Sequence, residues 1–424
     1  MITPVSGDVR TCYLKQGITL FTKMNGNRSS SEHTVSRRRF ILQIGVATAC
    51  RILINTARRF VYPFAPALAR GLDVPFAAVT SLIAVNQVTG MLGPVFAPLG
   101  DRRGYRIMLM AGMGLLALGM VVGGVFPVYG VLVAALFMAG LGKSMFDPAI
   151  QAYVAERVSF RRRGMIIGTI ETAWAGSTLI GVPLVGVLIH HLGWRSPFLV
   201  MGVLGILGLA GIYIMVPRGH SRVSGTDNPV AMTKALRTML CNRHSAGILG
   251  FAFFISVAND NFFVIYGVWL EETFDLSVVS LGFTTVVIGV AELCGEMLTA
   301  LCADRVGLHR SIMGGLALSA LSYAVLPLCG HTLVMAMGAL FMVFLTVEFS
   351  IVTALSLSSE VMPGNRATMM SGYLAAASAG RVVGALLGGA MWPAGKIMAI
   401  GFVSTLVTGL ALVSFSWGLH HWRT

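Results

Sequence analysis

GDRRGYR (residues 100–106) and ADRVGLHR (residues 303–310) are two variants of one charged turn, and each follows a long apolar run. In the first, Asp101, Arg102, Arg103 and Arg106 crowd four charges into a chain that is only 11% charged. Ordinary soluble domains carry about 25% charged residues. Asp101 and Asp304 are 203 residues apart, and so are Arg163 and Arg366. Gly181 and Gly186 recur at the same offset as Gly384 and Gly389, and Phe60-Val61 recurs as Phe263-Val264. Landmarks sharing one offset mark a duplicated structural unit.

The runs between the charged turns set the fold class. Twelve apolar stretches are predicted at 40–66, 77–97, 106–126, 129–152, 165–189, 195–216, 246–269, 278–300, 311–330, 332–356, 368–391 and 395–418. A helix needs about 17–25 residues to cross a bilayer core. Backbone polar groups in lipid must pair internally, so each stretch is read as a helix. Barrel strands would be shorter and would alternate polar with apolar residues. The organisation expected is a polar, irregular tail (1–39), a six-helix half (40–217), a central loop (218–245), a second six-helix half (246–418) and a short tail (419–424).

The net charge of +14 suggests nucleic acid until the charges are placed. Threading the spans with the N-terminus inside puts 23 of the 31 Lys and Arg residues on one side, which leaves Arg70, Arg195 and Lys396 outside and five within spans. That asymmetry is the positive-inside bias, and it predicts both termini in the cytoplasm. No nucleic-acid partner is expected. The stretch SRRRFILQIG (36–45) looks like a twin-arginine signal, but the apolar run that follows is too long for a signal core and carries Arg51, Arg58 and Arg59. The six cysteines form no Cys-x-x-Cys pair and no disulfide framework.

The two turns and the two six-span halves resemble the major facilitator superfamily of transporters over residues 40–418. The family's loop signature reads roughly Gly-x-x-x-Asp-Arg-x-Gly-Arg-Arg. Its counterparts here are Ala97, Asp101, Arg102, Gly104, Tyr105 and Arg106, with a second copy at Ala300, Asp304, Arg305, Gly307 and Arg310. The resemblance implies an all-α membrane fold of two pseudo-symmetric halves, working by alternating access. It also implies that Asp101 reaches the N-terminus of span 11, near Ala367–Met370, when that side of the protein is shut. Asp101 lies at a helix C-terminus, where an anion is unfavourable and needs such compensation. The conformational latch is therefore assigned to Asp101, Arg102, Gly104, Arg106, Arg163, Glu296, Asp304, Arg305, Gly307 and Arg366. A topogenic charge cluster is the other reading of the same residues.

Eleven ionisable side chains fall within the spans: Arg51, Arg58, Arg59, Lys143, Asp147, Glu171, Asp260, Glu292, Glu296, Glu348 and Arg381. Each costs about 2.5–3.5 kcal/mol at a span centre on insertion scales, so each needs a partner or a task. Arg58 and Arg59 are read as snorkelling at the outer end of span 1. Arg51 lies too deep to snorkel and must face a cavity or a carboxylate. Lys143 and Asp147 share a helix face at i, i+4. Glu171 precedes Gly176, Gly181, Pro183 and Gly186, which resemble the Gly-Pro signature of span 5 in proton antiporters and allow close helix packing. The antiporter Arg of span 4 is missing at Leu136, and Lys143 is its replacement candidate. Asn259, Asp260 and Asn261 cannot share one helix face, so a break or a wet cavity is expected there. Glu348 and Arg381 are read as an ion pair.

The substrate and proton-coupling residues expected are Arg51, Lys143, Asp147, Glu171, Asp260, Glu348 and Arg381. No histidine falls within the predicted spans, which leaves carboxylates to carry protons; no metal site or bound cofactor is expected, only a proton gradient as driving force. No Walker A pattern occurs, and no nucleophile–base pair points to an enzyme. The function expected is proton-coupled export of a small molecule by a monomer in a plasma membrane, in character a bacterial inner membrane. Alternatives are uptake of an organic anion held by Arg51 and Lys143, transport of a metal ion or metal complex, and a non-transporting scaffold or sensor.

Overall fold

The computed structural model describes residues 37–93, 96, 103–157, 160–217, 239, 241–362 and 366–420. Asp101, Arg102 and most of the central loop lie outside the described residues, as do the side chains of Arg163 and Asp304. Two compact units are distinguished: Met1–Leu42, described and helical over 37–42, and Gln43–Thr424.

Every regular element among the described residues is helical. Span 1 is Arg37–Arg59 followed by Val61–Leu72, and span 2 is Phe76–Leu92, ending in a 3-10 turn. Spans 3 and 4 are Tyr105–Val125 and Tyr129–Arg157. Span 5 is Phe160–Gly176 and Val182–Leu192, joined by a π-helical turn at Ser177–Gly181. Span 6 is Ser196–Met215, and span 7 is Arg243–Phe263 followed by Tyr266–Phe274. Spans 8, 9 and 10 are Val278–Val306, Leu308–Val325 and Leu333–Val361. Spans 11 and 12 form one helical stretch, Arg366–Leu419, broken at Lys396 (φ 48°, ψ −149°). Asn242, Ser277 and Thr332 cap the starts of spans 7, 8 and 10 by accepting a backbone N–H, which satisfies donors that a helix start leaves unpaired.

The duplication is visible in backbone angles. Gly104 (φ 91°, ψ 141°) and Gly307 (φ 93°, ψ 135°) make the same turn before spans 3 and 9. A side chain rarely tolerates that conformation, which explains Gly at both places. Asp73 and Asp275 end spans 1 and 7 in left-handed conformations, φ 54° and 51°. The Phe-Val landmark is where spans 1 and 7 break, at Phe60 and at Val264–Ile265.

Asn259–Asn261 therefore do not break span 7; the helix continues two residues further, to Phe263. Their side chains diverge instead. Asp260 meets Tyr62 of span 1, whereas Asn261 donates to Ser404 Oγ of span 12 at 3.0 Å. Asp260 and the Asn261 amide nitrogen are satisfied in different directions, whereas the Asn259 and Asn261 Oδ1 atoms are buried with no hydrogen-bond partner among the described residues.

Of the span 7 window 72% is buried, against 28% for span 6, so span 7 is central and span 6 peripheral. Large apolar side chains such as Ile206, Leu207 and Ile214 are exposed on span 6, as a lipid-facing surface requires. One membrane face carries the Gly104 and Gly307 turns, and the other carries the Asp73 and Asp275 turns. On the Asp73 face the halves are in close contact. A Cβ on Gly267 would sit 2.4 Å from the Pro63 carbonyl oxygen, and Arg70 pairs with Glu271 at 2.8 Å.

Candidate functional site

Span 1 carries Arg51, Asn55, Arg58, Arg59 and Tyr62 on one face, at helical spacing. Span 4 carries Gly140, Lys143, Ser144, Asp147 and Gln151 in the same manner. Arg51 and Arg58 of the first stripe and all five residues of the second line a cavity of about 500 Å³, completed by Thr89 and Gly90 of span 2, Glu171 of span 5, Leu355 of span 10, and Met370, Leu374, Ser378 and Arg381 of span 11. Gly93, Gln151, Leu355 and Met370 lie near the Gly104-face ends of their spans, so the cavity lies toward that face.

The first charge cluster lies on the cavity wall. Asp147 Oδ1 accepts from Arg51 Nε at 3.1 Å, and its Oδ2 accepts from Lys143 Nζ at 2.6 Å. Lys143 also donates to Asn55 Oδ1 at 2.6 Å. Arg51 Nη1 meets Glu171 Oε1 at 2.8 Å and donates to the Ile170 carbonyl at 3.1 Å. Gln151 supports Glu171 at 3.3 Å. Two cations thus face two carboxylates, and the cluster balances. At the repeat offset its members become Phe254, Thr346, Ser350 and Leu374, so the cluster belongs to the first half alone.

Arg58 and Arg381 also border a smaller compartment of about 40 Å³, lined by Tyr62, Gln87, Asp260 and Glu348 among others. Arg58 donates to Gln87 Oε1, and Gln87 Nε2 donates to Tyr62 Oη at 2.5 Å. Tyr62 donates in turn to Asp260 Oδ1 at 2.8 Å, and Arg381 Nε stands 3.8 Å from Asp260 Oδ2. This chain of groups joins spans 1, 2, 7 and 11. Beside it Arg59 Nη2 meets Glu292 Oε1 at 2.5 Å, with both side chains almost wholly buried. The Arg59 guanidinium lies 4.3 Å from the Trp174 ring centroid, and Lys143 lies 5.6 Å from it, so the indole separates the two clusters.

The π turn of span 5 has a local purpose. It frees the Thr178 carbonyl, which accepts from Thr285 of span 8 at 2.9 Å, while the Thr178 hydroxyl reaches Glu292 at 3.4 Å. Such turns are frequent at functional sites. Gly181 is required by packing, since a Cβ there would lie 2.0 Å from Thr56 Oγ1. Gly186 lies against Phe64 and Gly282, and Gly176 faces Ile52, so this stretch packs spans 1 and 8. Pro183 opens Val182–Leu192, near a helix start where its missing N–H costs little.

Several sequence expectations are corrected. Glu348 and Arg381 do not pair: Arg381 stands 3.8 Å from Asp260, and among the described residues Glu348 makes no hydrogen bond or ion pair. Arg58 and Arg59 do not snorkel, because span 1 continues to Leu72 and places both at mid-depth. Glu296 lies two turns before Asp304, whose side chain is outside the described residues. His190, His191, His244 and His309 lie in the end turns of helices that run past their expected limits. Of the other latch candidates, Arg106 donates to the Tyr213 carbonyl at 2.6 Å, Arg305 is exposed, and Arg366 stands 3.7 Å from Glu360. Asn55, Tyr62 and Gln87 were not anticipated; the polar stripe through span 1 was the signal for the first two.

Comparison with known proteins agrees with this architecture. The profile of the Major Facilitator Superfamily matches residues 47–259 and again 248–422. The chain is 22% identical to the "Uncharacterized MFS-type transporter YwfA" of Bacillus subtilis (strain 168), covering 92% of this chain and 95% of that one. It is 24% identical to the "Multi-drug resistance efflux pump PmrA homolog" of Lactococcus lactis subsp. lactis (strain IL1403), covering 68% and 71%. Among solved structures, a bacterial homologue of the human lysosomal transporter Spinster, inward-facing and unoccupied, superposes with a TM-score of 0.75 at 15% identity, covering 91% of this chain and 98% of that one. An all-α membrane fold with two matching halves, a charged cavity between them and a family profile matched twice along the chain lead to one conclusion: this chain belongs to the Major Facilitator Superfamily, and it is a secondary transporter.

Proposed function

We propose that the chain exports a small molecule in exchange for protons. The observation that carries this reading is Asp147, whose two oxygens hold Arg51 of span 1 and Lys143 of span 4 on the cavity wall. Ionised, the carboxylate binds the two spans together through its cations. Protonated, it releases them, and the two cations repel with an energy of several kcal/mol at contact distances. A proton arriving from the cavity therefore alters the link between spans 1 and 4. Glu171 shares Arg51 and is the more exposed carboxylate, 41% against 22% for Asp147, so it is the first to meet solvent. Export is supported by the efflux-pump relative. The Gly104 face is assigned to the cytoplasm from the positive-inside bias.

The test is proton flux. The full chain is reconstituted in liposomes with a trapped pH dye and challenged with lipophilic cations, organic acids, sugars and metal chelates. A pH change triggered by one class in wild type, and lost in Asp147→Asn and Glu171→Gln, is the expected result. Accumulation of substrate inside right-side-out cells, abolished by uncouplers, would show uptake and overturn the export reading.

A further inference from the structure

Charge balance across the cavity is uneven. The wall cluster is neutral: Arg51 and Lys143 face Asp147 and Glu171. Arg59 is neutralised by Glu292. Two guanidiniums remain, Arg58 from span 1 and Arg381 from span 11, and both line the large cavity. Both also line the smaller compartment, one from each half of the protein. Asp260 and Glu348 face them across that compartment. One oxygen of Asp260 already accepts from Tyr62, and the other is 3.8 Å from Arg381, beyond a normal hydrogen bond. Arg58 spends one donor on Gln87, and among the described residues Arg381 makes no hydrogen bond. Neither Asp260 nor Glu348 lines the large cavity, whose own wall carries Arg51, Arg58, Lys143 and Arg381 against Asp147 and Glu171.

Most of the donors of two arginines are thus unspent at the base of a cavity whose upper wall carries Leu355, Met370 and Leu374. An arginine fork matches the geometry of a carboxylate or phosphate group. We propose that the transported substrate is an amphipathic organic anion, its acidic group held between Arg58 and Arg381 and its apolar body against Leu355, Met370 and Leu374. The inference rests on the reading of the cavity as the substrate path, and it names the substrate class. It also moves the anion site away from Arg51 and Lys143, whose charges are already matched. Because the two arginines belong to opposite halves, the bound anion bridges the halves.

The probes are 2-naphthoate, 2-naphthylmethanol and 2-naphthylmethylammonium, which share a body and differ in charge. Binding to the full chain in lipid nanodiscs is measured by calorimetry. Naphthoate is expected to bind at least about tenfold more tightly than the alcohol, the scale of one hydrogen bond to a charged group. Arg58→Gln and Arg381→Gln are each expected to erase that preference, and Arg381→Lys to retain part of it. Equal or tighter binding of the ammonium probe, a naphthoate affinity unchanged in both Gln variants, or no naphthoate binding up to millimolar concentration would overturn the proposal. Should either Gln variant fail to fold, the wild-type ranking of the three probes decides. Naphthoate binding without proton flux refutes the coupling reading and leaves the anion site standing. Proton flux with the ammonium probe but not with naphthoate does the reverse.

Discussion

Replacing Glu292 with Leu removes the carboxylate that pairs with Arg59 in the protein interior. The two side chains are 3% and 5% exposed, so no solvent takes over the lost partner. Breaking a buried pair by removing one member costs about 3–5 kcal/mol, because a bare charge remains. The Trp174 ring stays 4.3 Å from the guanidinium centre and retains about 1–2 kcal/mol of cation–π attraction, which places the net loss near the lower end of that range. Glu292→Gln keeps an acceptor at the same place but leaves the guanidinium charge unneutralised, so its loss is expected to be smaller than that of Glu292→Leu and not zero. The double variant Arg59→Leu/Glu292→Leu removes both charges and restores most of the stability. The assay is equilibrium unfolding of the purified protein in detergent micelles, with the four proteins compared as a double-mutant cycle. A loss below about 1 kcal/mol for Glu292→Leu, or a double variant equal to the sum of the single variants, would refute a buried, mutually dependent pair.

Gly267→Ala places a Cβ against the Pro63 carbonyl, so the Asp73 face must part; thiol labelling of a cysteine introduced at Pro63 is expected to rise over the Gly267 background. Gly307→Ala puts a side chain at φ 93° and is expected to lower stability by about 1–2 kcal/mol, read as a drop in Tm, with Gly104→Ala matching it because the turn is repeated. Arg70→Ala breaks an ion pair whose arginine is 59% exposed and is expected to change unfolding stability by less than about 1 kcal/mol, in contrast with the Arg59 pair.

Much of this protein was legible in one dimension. Hydrophobic run length is a local property, because each backbone group in lipid pairs within its own helix, so twelve spans can be read without knowing their neighbours. The duplication was legible for a similar reason. A turn needing Gly at positive φ needs it in both copies, and a 203-residue offset survives where overall identity does not. Lys143 and Asp147 were paired by helical spacing alone, which also operates within one element.

Partnership between elements was another matter. Arg381 has two carboxylates on other spans within reach of a guess, Glu348 and Asp260, and only the packing of span 11 against span 7 selects Asp260. Arg59 lies 233 residues from Glu292, and nothing in either neighbourhood names the other. Residue depth was similarly hidden: Arg58 and Arg59 read as surface anchors until the break at Phe60 let span 1 run on to Leu72. The sequence by itself determined the spans, the two halves and the set of charges that must be satisfied inside the membrane. The tertiary structure alone decided which charges pair and which two arginines keep free donors at the cavity, because pairing depends on distances of a few ångströms between helices far apart along the chain.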